Sequence, residues 1–351
     1  MIRSVQSLRF VFIMLVVMSH ILKKPFDFGG ECGVSFFFVL SGFILSYAYG
    51  ERILEGQFRL GAFLKRQLAK IYPLHLLTFF IMIVLDIRLG QFNHWTKLLA
   101  NMLLLQSWVP ADSFYFVANG SSWFLSDLLF FYLIFPFLYK LITRARLLCL
   151  AICAATVLTL YALLATSIPQ DMVNPLLYAS PVTRSIEFAL GIMLHRYYKS
   201  RRGQRESGWL CNCSITTATI VELAMVALVA GSFFVYECSS PGFRCASMFW
   251  LITPLVIYTF VIADKGRGLI TQLLHHPAMM WLGSISLEIY LTHYVTMRIL
   301  YSIMLSCGYG EEYRFMPLVI LATIMVIVLV SYITKRTFVD RIYTTLLKKS
   351  R

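Results

Sequence analysis

Long apolar runs separated by short polar breaks make up most of this chain. A helix needs roughly 20 mostly apolar residues to cross about 30 Å of hydrocarbon. Ten runs meet or approach that length: residues 4–22, 34–49, 71–87, 123–141, 147–164, 181–194, 215–236, 247–263, 281–304 and 315–334. The pattern predicts an all-α polytopic membrane protein with about ten transmembrane helices.

An eleventh apolar stretch, residues 98–108, is only about half as long as a membrane span. We expect it to form one extra short interfacial or re-entrant helix within an excursion, residues 88–122, that stays on one side of the membrane. Treating it as a full span would move the basic loop around Arg144 to the side opposite the other basic loops.

Composition and charge agree with this class. Of the 351 residues, 59% are apolar and 14% are charged, which excludes a water-soluble globule and a disordered chain. The net charge of +14 would indicate a nucleic-acid partner in a soluble protein, but 23 of the 31 Lys and Arg fall on one side of the predicted bundle. By the positive-inside rule that side is the cytoplasm, and both termini lie there. We expect no nucleic-acid partner and a multi-pass location in the inner membrane.

The apolar segments leave no room for a second unit. We expect residues 1–351 to form a single transmembrane domain with no appended soluble domain. The first apolar run lacks a small-x-small cleavage site and carries Arg9 and His20, so we expect it to remain as the first span. The eight Cys show no zinc spacing, and no metal site is predicted. Cys238 and Cys245 flank a short outer loop and either pair in an oxidising compartment or act as small buried hydrophobes.

The first predicted span carries two ionisable side chains on one face. Arg9 and His20 are 11 residues apart, which places them within about 20° of each other around the helix and roughly 16 Å apart along it. Charge at membrane depth is costly, so such groups need a partner or mark a site. Two interpretations remain open: a headgroup contact with a structural histidine, or a functional pair.

Further motifs follow the Arg9-x10-His20 pair in order along the chain. They are GVSFFFVLSGF at 33–43, FLKRQLAKIYP at 63–73, NGSSWFLS at 119–126, RSIEFALG at 184–191 and GSISLEIYLTH at 283–293. Together they resemble the membrane-bound acyltransferase-3 family, which moves acyl groups onto extracytoplasmic carbohydrates and related acceptors. The resemblance covers nearly the whole chain.

The resemblance implies an integral-membrane O-acyltransferase that takes an acyl group, expected to be acetyl, from cytoplasmic acyl-CoA to a hydroxyl of an extracytoplasmic or lipid-linked carbohydrate. Its partners would be membrane lipid and that glycan. His20 matches the family histidine and is our candidate for the base that such a transfer needs, with Arg9 as the second catalytic residue. Donor phosphates call for cations at the inner end, where Arg9, Arg66 and Lys70 lie; the alternative for the last two is a positive-inside flank.

Acceptor binding is assigned to polar and aromatic residues of later spans. Arg184 and Glu187 are three residues apart and form either a structural ion pair or part of the acceptor site. The remaining candidates begin the fourth span or share one stripe of the ninth: Trp123, Ser126, Ser286, Tyr290 and His293.

The chain departs from the family pattern at two acidic positions. Ser35 stands where the family has an acidic residue, and Leu128 stands where a Glu is expected. Asp127 lies one residue before Leu128, and a one-residue shift turns a side chain by about 100°, so we do not transfer that role to Asp127. Two other functions stay open: a transporter or flippase for a glycan or glycolipid, and an acyl carrier or export subunit.

The division of basic residues makes a topology prediction. A cysteine introduced at Arg202 should be shielded from an impermeant thiol reagent in intact cells, whereas cysteines at Asp112 or Glu312 should be labelled. Labelling of the cysteine at position 202 would show that the orientation is the reverse of the one predicted.

Overall fold

The structure is a computed structural model that describes residues 2–22, 29–91, 93–200, 213–245, 247–266 and 268–348. Within these residues the regular structure is entirely helical. Ten helices of eleven residues or more are labelled in chain order: α1 (Arg3–Ile21), α2 (Gly30–Leu54), α3 (Leu60–Arg88), α4 (Trp123–Arg144), α5 (Leu147–Ser167), α6 (Pro181–Ser200), α7 (Ile215–Cys238), α8 (Ile252–Ile262), α9 (Ser286–Ser306) and α10 (Pro317–Thr334). Part of the basic loop after α6, residues 201–205, lies outside the described residues.

Each predicted segment falls largely on one of these helices, and the all-α membrane class is confirmed. In the described part of the chain, seven helices are long and apolar enough to cross a membrane: α1 to α5, α7 and α10. The other three are α6 and α9, which carry charged side chains, and α8, which is short. The count of ten spans and the cytoplasmic termini stay predictions.

Shorter helices occupy the connections between the long ones. The stretch at 98–108 contains the end of an eight-residue helix, Trp95–Met102, and a one-turn helix, Gln106–Trp108. Neither is long enough to cross a bilayer. The prediction of 281–304 as one helix was wrong, because a separate helix, Pro277–Ser284, ends before Ile285 and α9 begins after it. An apolar residue at the break hides it from a hydropathy pattern.

The centre of the bundle depends on a close contact between α2 and α6. A Cβ on Gly42 would overlap the backbone of Phe188, and a Cβ on Gly191 would overlap the backbone of Val39. Glycine at both positions lets the two backbones touch, as small residues do in membrane helix packing. In the most apolar part of each helix, 67% of α2 but only 6% of α5 is buried, so α2 is central and α5 is peripheral.

Cys238 and Cys245 do not pair in this structure. Cys238 is exposed and Cys245 is buried, and both are free thiols. The thiol of Cys245 lies 3.5 Å from the carbonyl oxygen of Pro241.

Candidate active site

Two cavities of similar size lie at opposite ends of α1. One has a volume of about 390 Å³ and is lined by Arg9, and we call it the Arg9 cavity. The other has a volume of about 400 Å³ and is lined by His20, and we call it the His20 cavity. Arg9 and His20 share one stripe of α1 and lie roughly 16 Å apart along the helix, and each lines a different cavity.

The Arg9 cavity is largely apolar, with a few polar side chains. It is bounded by the N-terminal half of α1, the C-terminal half of α2, the start of α3, α4 and the start of α9. Its cations are Arg9 and Lys70, and within the described residues neither forms an ion pair. The nearby carboxylate of Glu288 is instead bound by Lys335 at 3.1 Å. The cavity thus offers two cations beside an apolar wall, a combination that suits a phosphorylated molecule with an apolar arm.

The geometry of His20 fixes which ring nitrogen carries the proton. Nδ1 of His20 lies 2.8 Å from the carbonyl oxygen of Val16, one turn back along α1. A carbonyl oxygen can only accept, so Nδ1 is the donor and the neutral ring has its basic lone pair on Nε2. A general base that acts through Nε2 needs this tautomer.

His293 lies against His20 but does not line either cavity. The two rings are 5.1 Å apart and meet edge to face. Nδ1 of His293 lies 2.7 Å from the carbonyl oxygen of Tyr290, whereas its buried Nε2 has no hydrogen-bond partner among the described residues. The predicted acceptor residue therefore contacts the candidate base instead of the cavity.

Tyr290 lines both cavities, so the two come near each other at this side chain. Its hydroxyl donates to the carbonyl oxygen of Ser121 at 2.9 Å, and the Ser121 hydroxyl donates to the carbonyl oxygen of Tyr290 at 3.3 Å. The ring of Phe124 packs 4.8 Å from the Tyr290 ring. This reciprocal bonding ties the turn before α4 to α9 and holds Tyr290 in place.

A buried ion pair lies behind the His20 cavity. Nη1 of Arg184 is 3.1 Å from both carboxylate oxygens of Glu187, and both side chains are fully buried. Ser35 donates to Glu187, so the residue at the altered family position is a hydrogen-bond donor in this network. The guanidinium of Arg184 lies 4.8 Å from the ring of Tyr178 and 5.7 Å from that of Trp123, and both rings line the cavity. The pair supports the cavity wall without lining the cavity.

The other predicted site residues divide between the cavities and the core. Ser286 and Lys70 line the Arg9 cavity, and Trp123 lines the His20 cavity. Ser126 is buried outside both, and its hydroxyl lacks a partner among the described residues. Arg66 lines a third, smaller cavity of about 200 Å³.

In α4, the side chains of Leu128 and Asp127 point in different directions, as expected for consecutive residues of a helix. Leu128 lines the Arg9 cavity, whereas Asp127 is buried and lines neither of the two cavities. The one-residue shift thus moves the carboxyl off the face where the family pattern has its Glu.

Several residues that line the cavities were not predicted from the sequence. Glu31, Tyr178 and Tyr294 line the His20 cavity, and Gln67 lines the Arg9 cavity. Glu31 is an acidic residue at the start of an apolar run, which is a usable signal for a functional group. The two tyrosines are common in membrane helices and gave none. No group of three or more His, Cys, Asp or Glu that could hold a metal occurs in the described part of the chain.

Comparisons with known proteins match this architecture to one family. A family model described as an acyltransferase domain, acyltransferase-3, matches residues 2–336. Acyltransferase MdmB of Streptomyces mycarofaciens is 30% identical over 286 residues, which cover 77% of this chain and 68% of that protein. Protein 2 in the picA locus of Rhizobium radiobacter is 47% identical over 49 residues, 14% of this chain and 26% of that protein. No solved structure matches the chain.

The ion pair gives a stability prediction. Glu187→Gln leaves the Arg184 charge buried without its counter-ion, and we expect a loss of about 3–5 kcal/mol in unfolding free energy. The double variant Arg184→Met with Glu187→Leu should recover most of that loss, because it removes both charges. Thermal unfolding in detergent measures both variants.

The exposed pair of Lys199 and Glu51, 3.3 Å apart, supplies the control. Lys199→Ala should cost less than about 1 kcal/mol. A double variant as unstable as Glu187→Gln would show that the packing of the guanidinium on the aromatic rings matters more than the charge balance.

Proposed function

Since the chain belongs to the acyltransferase-3 family, we propose that it is an inner-membrane O-acyltransferase that moves an acetyl group from cytoplasmic acyl-CoA to a hydroxyl of an extracytoplasmic or lipid-linked carbohydrate. Family membership places the chain among enzymes and not among the transporters that the sequence left open. The observation that carries the proposal is the pair of cavities at opposite ends of α1 with Tyr290 as a lining residue of both.

The Arg9 cavity is suited to the donor. With the orientation predicted by the positive-inside rule, it lies at the cytoplasmic end of α1, and acyl-CoA is made in the cytoplasm. Arg9 and Lys70 supply cations for phosphate groups, and the apolar wall suits the thioester arm. Roughly 16 Å of helix separates Arg9 from His20, so Arg9 is too far away to act together with His20 on the same atoms. We therefore assign Arg9 to donor binding, and its contribution to catalysis is to hold the donor.

The His20 cavity is suited to a carbohydrate. Aromatic faces from Trp123, Tyr178 and Tyr294 can pack against a sugar ring, and the Glu31 carboxylate can accept hydrogen bonds from hydroxyl groups. Such a mixture of flat apolar surface and a few acceptors is typical of a site that orients a polyol.

His20 is then the base in the transfer. Its Nε2 takes the proton of the acceptor hydroxyl while the hydroxyl oxygen forms a bond to the acyl carbon. The carbon–sulfur bond of the thioester breaks, and the proton passes to the departing thiolate. An alternative course in which His20 first carries the acyl group uses the same nitrogen as nucleophile.

Two substitutions separate the roles on α1. His20→Ala should abolish acyl transfer and leave CoA binding nearly intact, because a base acts on the transition state. Arg9→Ala should weaken CoA binding by about 1.5–3 kcal/mol, the strength of a hydrogen bond to a charged group. Calorimetry with CoA and a transfer assay on purified protein in nanodiscs measure the two effects.

Matched variants exclude structural causes. His20→Asn keeps an N–H that can donate to the Val16 carbonyl oxygen but lacks a basic nitrogen, so it should be as inactive as His20→Ala. Arg3→Ala removes an exposed cation of the same helix outside both cavities and should leave CoA binding unchanged. Wild-type transfer by His20→Asn would remove the proton-acceptor role from His20.

A further inference from the structure

A third cavity joins three arginines at the turn between α2 and α3. Its volume is about 200 Å³, and Arg52, Arg59 and Arg66 all line it. Aromatic side chains from the same turn, Tyr49 and Phe58, complete the wall. We call it the arginine cavity.

The backbone of the turn brings these residues together. Gly56 adopts a φ of +75°, a conformation that residues with a Cβ rarely adopt. Beyond it, the N–H of Gln57 donates to the carbonyl oxygen of Arg52 at 2.9 Å. This arrangement ends α2 and reverses the chain, so Arg52 at the end of α2 faces Arg59 and Arg66 at the start of α3.

The aromatic side chains of the turn pack as one group. The ring of Phe63 lies 5.1 Å from Tyr49 and 5.2 Å from Phe58. Both distances fall in the range in which aromatic pairs stabilise each other. The arginines therefore extend from a packed base and not from a loose loop.

The charges of the arginine cavity are not balanced within the described chain. No carboxylate lines the cavity, and none of the three guanidinium groups forms an ion pair with a described residue. The neighbouring acid Glu51 is paired with Lys199 at 3.3 Å instead. Three like charges around one small cavity repel each other, and a bound anion would relieve that repulsion.

A positively charged membrane flank does not by itself require this grouping. Arg144, at the end of α4, lies at the same end of the bundle and is exposed, but it lines none of the three cavities. A flank needs cations near the headgroups, whereas the arginine cavity gathers guanidinium groups whose planar forks match phosphate oxygens.

The arginine cavity adjoins the Arg9 cavity through consecutive residues of two helices. On α2, Ala48 lines the Arg9 cavity and Tyr49 lines the arginine cavity. On α3, Gln67 lines the first and Arg66 lines the second. The two cavities therefore lie on neighbouring faces of α2 and α3.

We propose that Arg52, Arg59 and Arg66 bind the 3′-phosphate of a nucleotide, the CoA donor, while its diphosphate lies towards Lys70 and Arg9 and its pantetheine arm enters the Arg9 cavity. The identity of the donor rests on the proposed function. The grouping assigns phosphate recognition to Arg52 and Arg59 as well as to Arg66. The rings of Tyr49 and Phe58 offer stacking surfaces for the adenine base beside these cations.

The test uses the full chain in nanodiscs of phosphatidylcholine, with CoA, 3′-dephospho-CoA, adenosine 3′,5′-bisphosphate and acetyl-pantetheine as probes. Arg52→Ala and Arg59→Ala should each raise the Kd for CoA about 10-fold, the lower end expected for a hydrogen bond to a charged group. The affinity for acetyl-pantetheine should not change. The preference of wild type for CoA over 3′-dephospho-CoA should shrink in at least one of the two variants.

Arg144→Ala is the control, because it removes an exposed arginine at the same end of the bundle, and its Kd for CoA should equal that of wild type. An unchanged Kd for CoA in both Arg52→Ala and Arg59→Ala would overturn the phosphate site while leaving the proposed function intact. A second set of nanodiscs contains phosphatidylglycerol. If this lipid weakens CoA binding to wild type but not to the variants, while the variants bind CoA as wild type does in phosphatidylcholine, the cavity binds a lipid headgroup. That result would also overturn the phosphate site. A wild-type protein that binds none of the CoA probes would instead count against the proposed donor.

Discussion

A charge inside a bilayer is stable only when the protein supplies its partners, and the buried pair of Arg184 and Glu187 shows how this bundle meets that condition. Glu187 also accepts from Ser35 of α2, and Arg184 packs on the rings of Tyr178 and Trp123. The pair thus connects α6 to α2, to the start of α4 and to the segment before α6. The close contact of α2 with α6 brings these groups into reach, and the rings that the pair supports become the wall of the His20 cavity.

In the proposed chemistry, the donor and the acceptor bind in separate cavities that share one lining residue, Tyr290. A phosphorylated donor and a hydroxylated acceptor both pay to enter hydrocarbon, so each needs its own polar cavity. The bundle provides the two cavities at opposite ends of α1, and Tyr290 faces both. Its hydrogen bond to Ser121 keeps that side chain ordered, so the thioester and the hydroxyl would meet beside a fixed group and out of bulk water.

The sequence predicted the parts of this arrangement that repeat along a helix. The spacing of Arg9 and His20 placed them at two ends of one stripe, and the apolar runs located the long helices. Contacts between segments that are distant in the sequence could not be predicted from it. The contact of His20 with His293, the shared position of Tyr290 and the grouping of Arg66 with Arg52 and Arg59 depend on how helices pack, which a period of 3.6 residues does not encode. The break at Ile285 was missed because its residue is apolar and only its backbone departs from the helix.

A sidedness assay in proteoliposomes of one fixed orientation tests acyl transfer across the membrane most directly. Acetyl-CoA, which does not cross the bilayer, is supplied on one side, and an oligosaccharide from the host surface glycan is supplied on the same or on the opposite side. We predict acetylated oligosaccharide only when the two substrates are on opposite sides, with acetyl-CoA on the side of the N-terminal end of α1. Product that forms only when both substrates share one side would contradict a donor cavity and an acceptor cavity at opposite ends of α1.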